Sequence, residues 1–570
     1  MNEFQPKIIT PFGFYCQHVL PLVYDQSLSY YEVLCKLQAK LNEVIKTQND
    51  LQEAFQNLLN WVNAQLETYT KEQLQGWMDD GTFDKLVNVT KLNKLQLLLE
   101  TKINDIYVSV NNYPVLDGET DDTNRLQRAL NDTINKILVI PYGTTLNILN
   151  VNLNSNQTIL LDGSIIVGNN TSYSLICNDI ENITLIGKNG SIKTTNNIDQ
   201  CSAIRINNVT NFLIERISIN GFKNKSIDIT GTSKGKVINC NISYSNGSTG
   251  AGISLFSNTV KNCDIINNNI KNCRIGVALN GCQECYITNN TLLDNDLSGI
   301  MIDGIVTGSG DGGTYNYVNN NIVKGCTNTN YGAIYLGNGS SHNTIVNNYI
   351  KSNLCSGIRI TTSKNIPCED NFIASNTITL NKHGIEMSFS SKNYISDNLI
   401  SSNTLRGVTA NTCDNNVFKG NKISNNTNEG MMIQSGLCQI IANYLTENSI
   451  GLSIQFGGST PVGNNVINNI SENNTTEDYK LGGTFNAKNN INYPNKKYGN
   501  ITLSGDGENT IFNIPHGLPK TPLYANVQPN SVNTPLDFFV TVNATDIVVT
   551  FKTPPSNVKN GIKFLWNCEF

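Results

Sequence analysis

Gly252-Ile253-Ser254-Leu255, Gly276-Val277-Ala278-Leu279 and Gly299-Ile300-Met301-Ile302 are three copies of one phrase. It opens at Ser226-Ile227-Asp228-Ile229 and returns as Ala333-Ile334-Tyr335-Leu336, Gly357-Ile358-Arg359-Ile360 and Gly384-Ile385-Glu386-Met387. Gly407-Val408-Thr409-Ala410, Gly430-Met431-Met432-Ile433 and Gly451-Leu452-Ser453-Ile454 complete the series. Between copies lie asparagine-rich turns such as Asn267-Asn268-Asn269-Ile270. A period of about 22 to 34 residues, with apolar residues at alternate places, marks a β-solenoid. Each rung carries a thin apolar strip, and only stacking on neighbours completes a core.

The composition agrees. Charged residues are 15% and hydrophobic ones 39% of 570 residues, so Asn, Ser, Thr and Gly are expected to do the surface work. The protein is mainly β and too long for one core. A net charge of −5 argues against nucleic acid as a partner. The first residues lack a basic region followed by an apolar stretch, so they do not read as a signal peptide. No run of about 18 apolar residues is present, which argues against a membrane span. Several of the fifteen cysteines sit beside repeat strands and suit buried free thiols. Cys282 and Cys285 form a lone C-x-x-C without a nearby His and read as structural.

Residues 1–110 form the first division. A 3-4 spacing runs through Leu34, Leu37, Leu41, Val44, Gln48, Leu51, Phe55, Leu58, Val62, Gln65 and Tyr69, a coiled-coil heptad. One amphipathic helix packed on its own chain is the alternative. Shorter helices are expected around 72–87 and 90–108. Residues 111–480 hold the solenoid. Its capping helix, expected over Asn124–Asn135, has Leu126, Ala129, Leu130 and Ile134 on one face, and Asp122 or Thr123 as cap. A linker over 481–497 leads to a β-sandwich at 498–570, with strands Phe538–Thr541, Ile547–Phe551 and Ile562–Trp566. His516 in that domain reads as structural.

Asp117-Gly118-Glu119-Thr120-Asp121-Asp122-Thr123, followed by a helix and Asn-rich coils, resembles the pectate-lyase-like superfamily. That resemblance covers residues 105–480 and implies a right-handed parallel β-helix. Tyr30-Tyr31-Glu32-Val33-Leu34-Cys35-Lys36-Leu37, and Gln75-Gly76-Trp77-Met78-Asp79-Asp80-Gly81-Thr82-Phe83, are similar to segments of tail fibres and spikes from phages of Gram-positive bacteria. This implies a homotrimeric spike, made in the host cytoplasm and carried on the virion. Residues 1–110 would attach it to phage tail proteins, and the β-helix would meet a host cell-wall glycan such as wall teichoic acid or capsule. A secreted polysaccharide lyase or hydrolase unrelated to phage, and a purely adhesive β-helix, are the alternatives.

In Gly-Ile-x-Ile the x side chain points outward, and successive x residues stack into one column, expected to be exposed. It reads Asp228, Ser254, Ala278, Met301, Tyr335, Arg359, Glu386, Thr409, Met432, Ser453. Tyr335, Arg359 and nearby His383 are the expected substrate-binding residues, because an aromatic ring stacks on a sugar and charges bind hydroxyls or anions. Asp303, Glu386 and Asp311 are the candidate catalytic carboxylates. A hydrolase needs two carboxylates roughly 5 to 10 Å apart, which one or two rungs deliver. A lyase would instead use Arg359 or His383 as base. No cofactor or metal site is read, and only phosphodiester cleavage of teichoic acid would call for a divalent cation. Each residue also has a structural reading: Arg359 and Glu386 as a cross-strand ion pair, Asp303 as the shaper of its Asp-Gly turn. The lack of a Gly-His-Gly segment argues against pectin hydrolysis.

Overall fold

The computed structural model describes residues 106–570, apart from 169–171, 195–200, 305–311, 363–365, 456–460, 483–484, 492–495, 519–520 and 570. The heptad, the helices expected up to residue 105, and Asp311 lie outside the described residues. The chain divides into two units, 1–102 and 103–570, and the solenoid belongs to the second.

Three long parallel sheets wind together, of 16, 14 and 14 strands, here called I, II and III. One rung runs Tyr286–Thr288 in sheet I, Thr291–Leu293 in sheet II and Ser298–Asp303 in sheet III. Each strand pairs in parallel with its counterpart one rung on, as Ile287 does with Val318. Ile287, Leu292, Ile300 and Ile302 point inward and are fully buried. Every copy of the repeated phrase lies in sheet III. No helix among the described residues is long and apolar enough to cross a membrane.

The corners explain the asparagines. In Asn267-Asn268-Asn269-Ile270, Asn267 turns the chain at φ 55°, a left-handed conformation that Asn tolerates better than most residues. Asn268 then points inward and is 1% exposed, so it does no surface work. It starts a ladder of ten asparagines: 268, 290, 321, 348, 376, 398, 421, 443, 469 and 490. The N–H of Asn376 donates to Oδ1 of Asn398 at 3.0 Å, as does its Nδ2. Nδ2 of Asn398 in turn donates to the Ile373 carbonyl at 3.0 Å. Shorter ladders line the other two corners, through Asn316–Asn416 and Asn353–Asn474. Cys240, Cys273, Cys285, Cys326 and Cys438 occupy ladder places, each N–H donating to an Asn of the next rung. All 13 cysteines among the described residues are free and buried.

Several boundaries differ from those expected. The first solenoid strand is Tyr107–Ser109, which pairs with Ile137–Val139, so the solenoid starts before residue 111 and the helix of 90–108 does not reach its expected end. The capping helix, α1, spans Thr123–Asp132 and buries Leu126, Ala129 and Leu130. Ile134 falls beyond its end and is 42% exposed. Asp122 gives α1 no side-chain cap. Its carboxylate instead accepts from Asn147 N at 2.9 Å and pairs with Arg125, pinning α1 to the first strand of sheet II, while Asp121 Oδ1 accepts from Thr123 N. The expected linker is also shorter, because Phe485–Lys488 still belongs to sheet I and the next strand begins at Lys496.

The remaining residues build two three-stranded antiparallel sheets around one apolar cluster that includes Ile514, Ile547, Phe551 and Phe564. The hairpin of Phe538–Val542 and Asp546–Phe551 closes where Asn543 Oδ1 accepts from Asp546 N at 2.7 Å. His516 is buried, Nδ1 accepting from Leu518 N and Nε2 meeting the Asn543 carbonyl.

Replacing Asn398 by Ala strips partners from Asn376 N–H and the Ile373 carbonyl, both interior. It should destabilise the chain by about 3 kcal/mol. Asn319→Ala, on the outer face, should change stability by less than about 0.5 kcal/mol. Denaturant unfolding of both variants checks this, and equal effects would remove the ladder from its proposed role.

Candidate functional site

The register of sheet III aligns the x residues as expected. Met301 pairs with Tyr335, Tyr335 with Arg359, Arg359 with Glu386 and Glu386 with Thr409. The column is not exposed, however. Asp228, Ser254, Ala278, Met301, Tyr335, Thr409, Met432 and Ser453 are all buried, with Tyr335 only 8% exposed. Neighbouring outward side chains close over one another, and the Tyr331 ring lies 5.2 Å from that of Tyr335. The Tyr335 ring is therefore not a free stacking platform. Burial and the nearby Asp303 carboxylate push its phenol far above its ordinary pKa.

A second outward column runs three residues before x. In a regular strand that place would face inward. The glycine at x−2 changes the parity: a β-carbon on Gly384 would sit 2.4 Å from Ile400 Cγ2 and from the Gly407 carbonyl oxygen, so this position faces the core. The residue before it then turns outward again. This places Ser356, His383, Arg406 and Glu429 beside Arg359 and Glu386. Sequence reasoning missed Ser356, Arg406 and Glu429, although the recurring glycine is the signal that could have found them.

The two columns form one charged cluster. Arg359 Nη2 lies 3.6 Å from Glu386 Oε1, and their side chains are 22% and 20% exposed. Glu386 also accepts a short hydrogen bond from Ser356 Oγ. Arg359 Nη1 donates to the Asn330 carbonyl at 3.0 Å. Arg406 Nε pairs with Glu429 Oε2 at 2.6 Å. His383 is 7% exposed, and its Nδ1 has no hydrogen-bond partner among the described residues. Burial pushes its pKa down to about 4; Arg406, Lys382 and Arg359 act in the same direction, against Glu386. The imidazole is thus neutral over most of the pH range.

Asp303 lies apart from this cluster. Its Oδ1 accepts from Gly304 N at 2.9 Å and from Asn338 Nδ2 at 2.8 Å, so it does shape its turn. Its neighbour is Gly337, where a β-carbon would fall 2.7 Å from Asp303 Oδ1 and 2.9 Å from the Tyr335 hydroxyl. Asp303 and Glu386 stand on strands three spacings apart, roughly 14 Å at about 4.8 Å each. The expected one- or two-rung separation of this pair is not what the register delivers. Glu369 pairs with Lys392 at 3.0 Å. Among the described residues no three His, Cys, Asp or Glu side chains gather to hold a metal ion.

The depressed pKa of His383 sets a sign for stability. An unfolded imidazole takes up its proton near pH 6.5, the folded one only near 4. Acidification through that window therefore favours unfolding, by on the order of 3 kcal/mol in total. His383→Asn should flatten this part of a stability profile taken from pH 7 to 4. An unchanged slope would assign the acid sensitivity to other groups.

Known proteins resemble this chain in parts of its length. A family model described as "Right handed beta helix region" matches residues 202–373, and one described as "Periplasmic copper-binding protein (NosD)" matches 303–501. The donor set offers copper no cluster among the described residues. The "Preneck appendage protein" of Bacillus phage PZA is 32% identical over 145 residues, which is 25% of this chain and 16% of that protein. The "Pre-neck appendage protein" of Bacillus phage B103 is 32% identical over 116 residues, 20% of this chain and 12% of its own length. The matches thus span 12% to 16% of these relatives. Among solved structures, the tailspike protein of E. coli bacteriophage HK620 in complex with pentasaccharide aligns with TM-score 0.48 and 12% identity, covering 82% of this chain and 94% of its own. Dettilon tailspike protein aligns at 0.42 and 14%, covering 81% and 94%. By sequence, then, about a quarter of this parallel β-helix chain is similar to part of the Bacillus phage pre-neck appendage proteins.

Proposed function

We propose that this chain is a phage tail spike or adhesin that holds the virion to polysaccharide on the host surface, wall teichoic acid or capsule. The observation that carries this reading is the 32% identity with pre-neck appendage proteins of Bacillus phages. The heptad over residues 34–69 supports a homotrimer, and residues 1–102 are the segment to join it to phage tail proteins. The charged cluster of Arg359, His383, Glu386 and Arg406 on sheet III is the place for a glycan.

Binding is favoured over hydrolysis by the pair first expected. Asp303 and Glu386 are three strands apart, and both carboxylates are engaged by protein donors. A hydrolase needs two carboxyl groups no more than about 9.5 Å apart. Asp311 stays a candidate partner for Asp303, and a divalent cation belongs only to the phosphodiesterase version of the reading.

Incubation of the full chain with wall teichoic acid and with capsule from the host should show retention on one of them, followed by a check of polymer length. Binding to neither would sink the proposal, and shortened polymer would add depolymerase activity to it. A chain lacking residues 1–102 should keep glycan binding yet fail to enter phage particles. Its incorporation would overturn the assignment of the attachment segment.

A further inference from the structure

Three buried side-chain polar atoms lack a hydrogen-bond partner among the described residues: Gln157 Oε1, Arg359 Nε and His383 Nδ1. Buried polar atoms in folded proteins are nearly always partnered, so an orphan asks for a reason. Two of these three fall in the Arg359–Glu386 cluster of sheet III, on adjacent rungs.

The Arg359 guanidinium has three nitrogens in different situations. Nη1 is committed to the Asn330 carbonyl. Nη2 faces Glu386 Oε1 at 3.6 Å, beyond hydrogen-bond length. Nε has no acceptor. The Nε–H and one Nη2–H lie along the same edge of the planar group, and that edge grips a carboxylate or phosphate through two parallel hydrogen bonds. Glu386 does not grip it this way. Its other oxygen, Oε2, is held by Ser356, leaving only a long contact to one corner of the fork. His383, kept neutral by burial, lies within the influence of the cations Arg406, Lys382 and Arg359, and the Arg406 charge is shared by Glu429.

We propose that the Nε/Nη2 edge of Arg359, together with His383, is a subsite for an acidic oxyanion of the surface polymer, and that Glu386 is the internal carboxylate which this group displaces. Arg359 Nε is closed to solvent, so the side chains that cover it must move for the ligand to reach it. The inference rests on the glycan-binding reading and adds the charge class of the bound unit. Two sources share that chemistry, the carboxylate of a uronic acid and the phosphate of a polyol-phosphate chain.

The test uses the full chain and three soluble probes of similar length: oligogalacturonate for carboxylate, oligo(glycerol phosphate) for phosphate, and dextran as the neutral control. Calorimetric titration should show one acidic probe binding at least tenfold more tightly than dextran. Arg359→Lys keeps the charge but loses the fork, and should weaken that binding at least tenfold. Glu386→Gln removes the competing charge and should strengthen it severalfold. Unchanged melting temperatures of both variants serve as the folding control, with Arg359→Gln as a second probe of the fork if the Lys variant melts early. Equal binding of acidic and neutral probes, or wild-type affinity in the Arg359 variants, or weakened binding in Glu386→Gln, would each overturn the subsite. Retention of host polymer by wild type and Arg359→Lys alike would sink the subsite and leave the adhesin reading standing. Loss of host polymer binding by wild type itself would sink both.

Discussion

The buried asparagine amide is the interaction on which this molecule depends. A solenoid made of short strands, three to six residues long in the rung of Tyr286–Asp303, must turn three times per rung, and each turn brings backbone N–H and C=O groups into the interior. Water cannot serve them there, and an unpartnered group would cost about 1–3 kcal/mol. One asparagine supplies both needs: Oδ1 takes the N–H of the preceding rung, and Nδ2 reaches a carbonyl, as Asn398 does with Asn376 and Ile373. Each amide fits only its counterpart one rung away. A slip of one residue would break the whole ladder, so the amides set the register.

Register in turn decides which charges meet. Arg359 reaches Glu386 because parallel pairing places them opposite each other on adjacent strands. The glycine two residues before x adds a second effect. Its contact with the side chains of sheet II leaves no room for a β-carbon, and the strand changes face there. That inversion brings Ser356 and His383 alongside Glu386. A flat β-face thereby acquires two neighbouring columns of outward side chains, and their mutual contacts bury most of both. The described part of this face therefore offers few free side chains.

How much of this was legible before folding differs by residue. Ile300 and Ile302 announce their inward places through alternation, and the x column through repetition. The end helix was legible as well, though Asp122 proved a tether to Asn147 rather than a cap. Asn268 looked like a surface turn residue because local pattern does not distinguish the amide that turns the chain from the amide that stacks beneath it. Tyr335 looked exposed because alternation says which face a side chain takes and nothing about what covers that face. Ser356 and Arg406 were invisible because strict alternation assigns them to the core.

By itself, then, the amino-acid order determined the period, the apolar interior and the outward column, since these follow from a local alternation of side chains repeated along the chain. Only the tertiary structure decided that Asp303 and Glu386 stand apart, that His383 is buried beside Arg359, and that the column is closed. Those outcomes depend on register across rungs and on steric contact between sheets, which involve residues more than twenty positions apart and are absent from any single repeat.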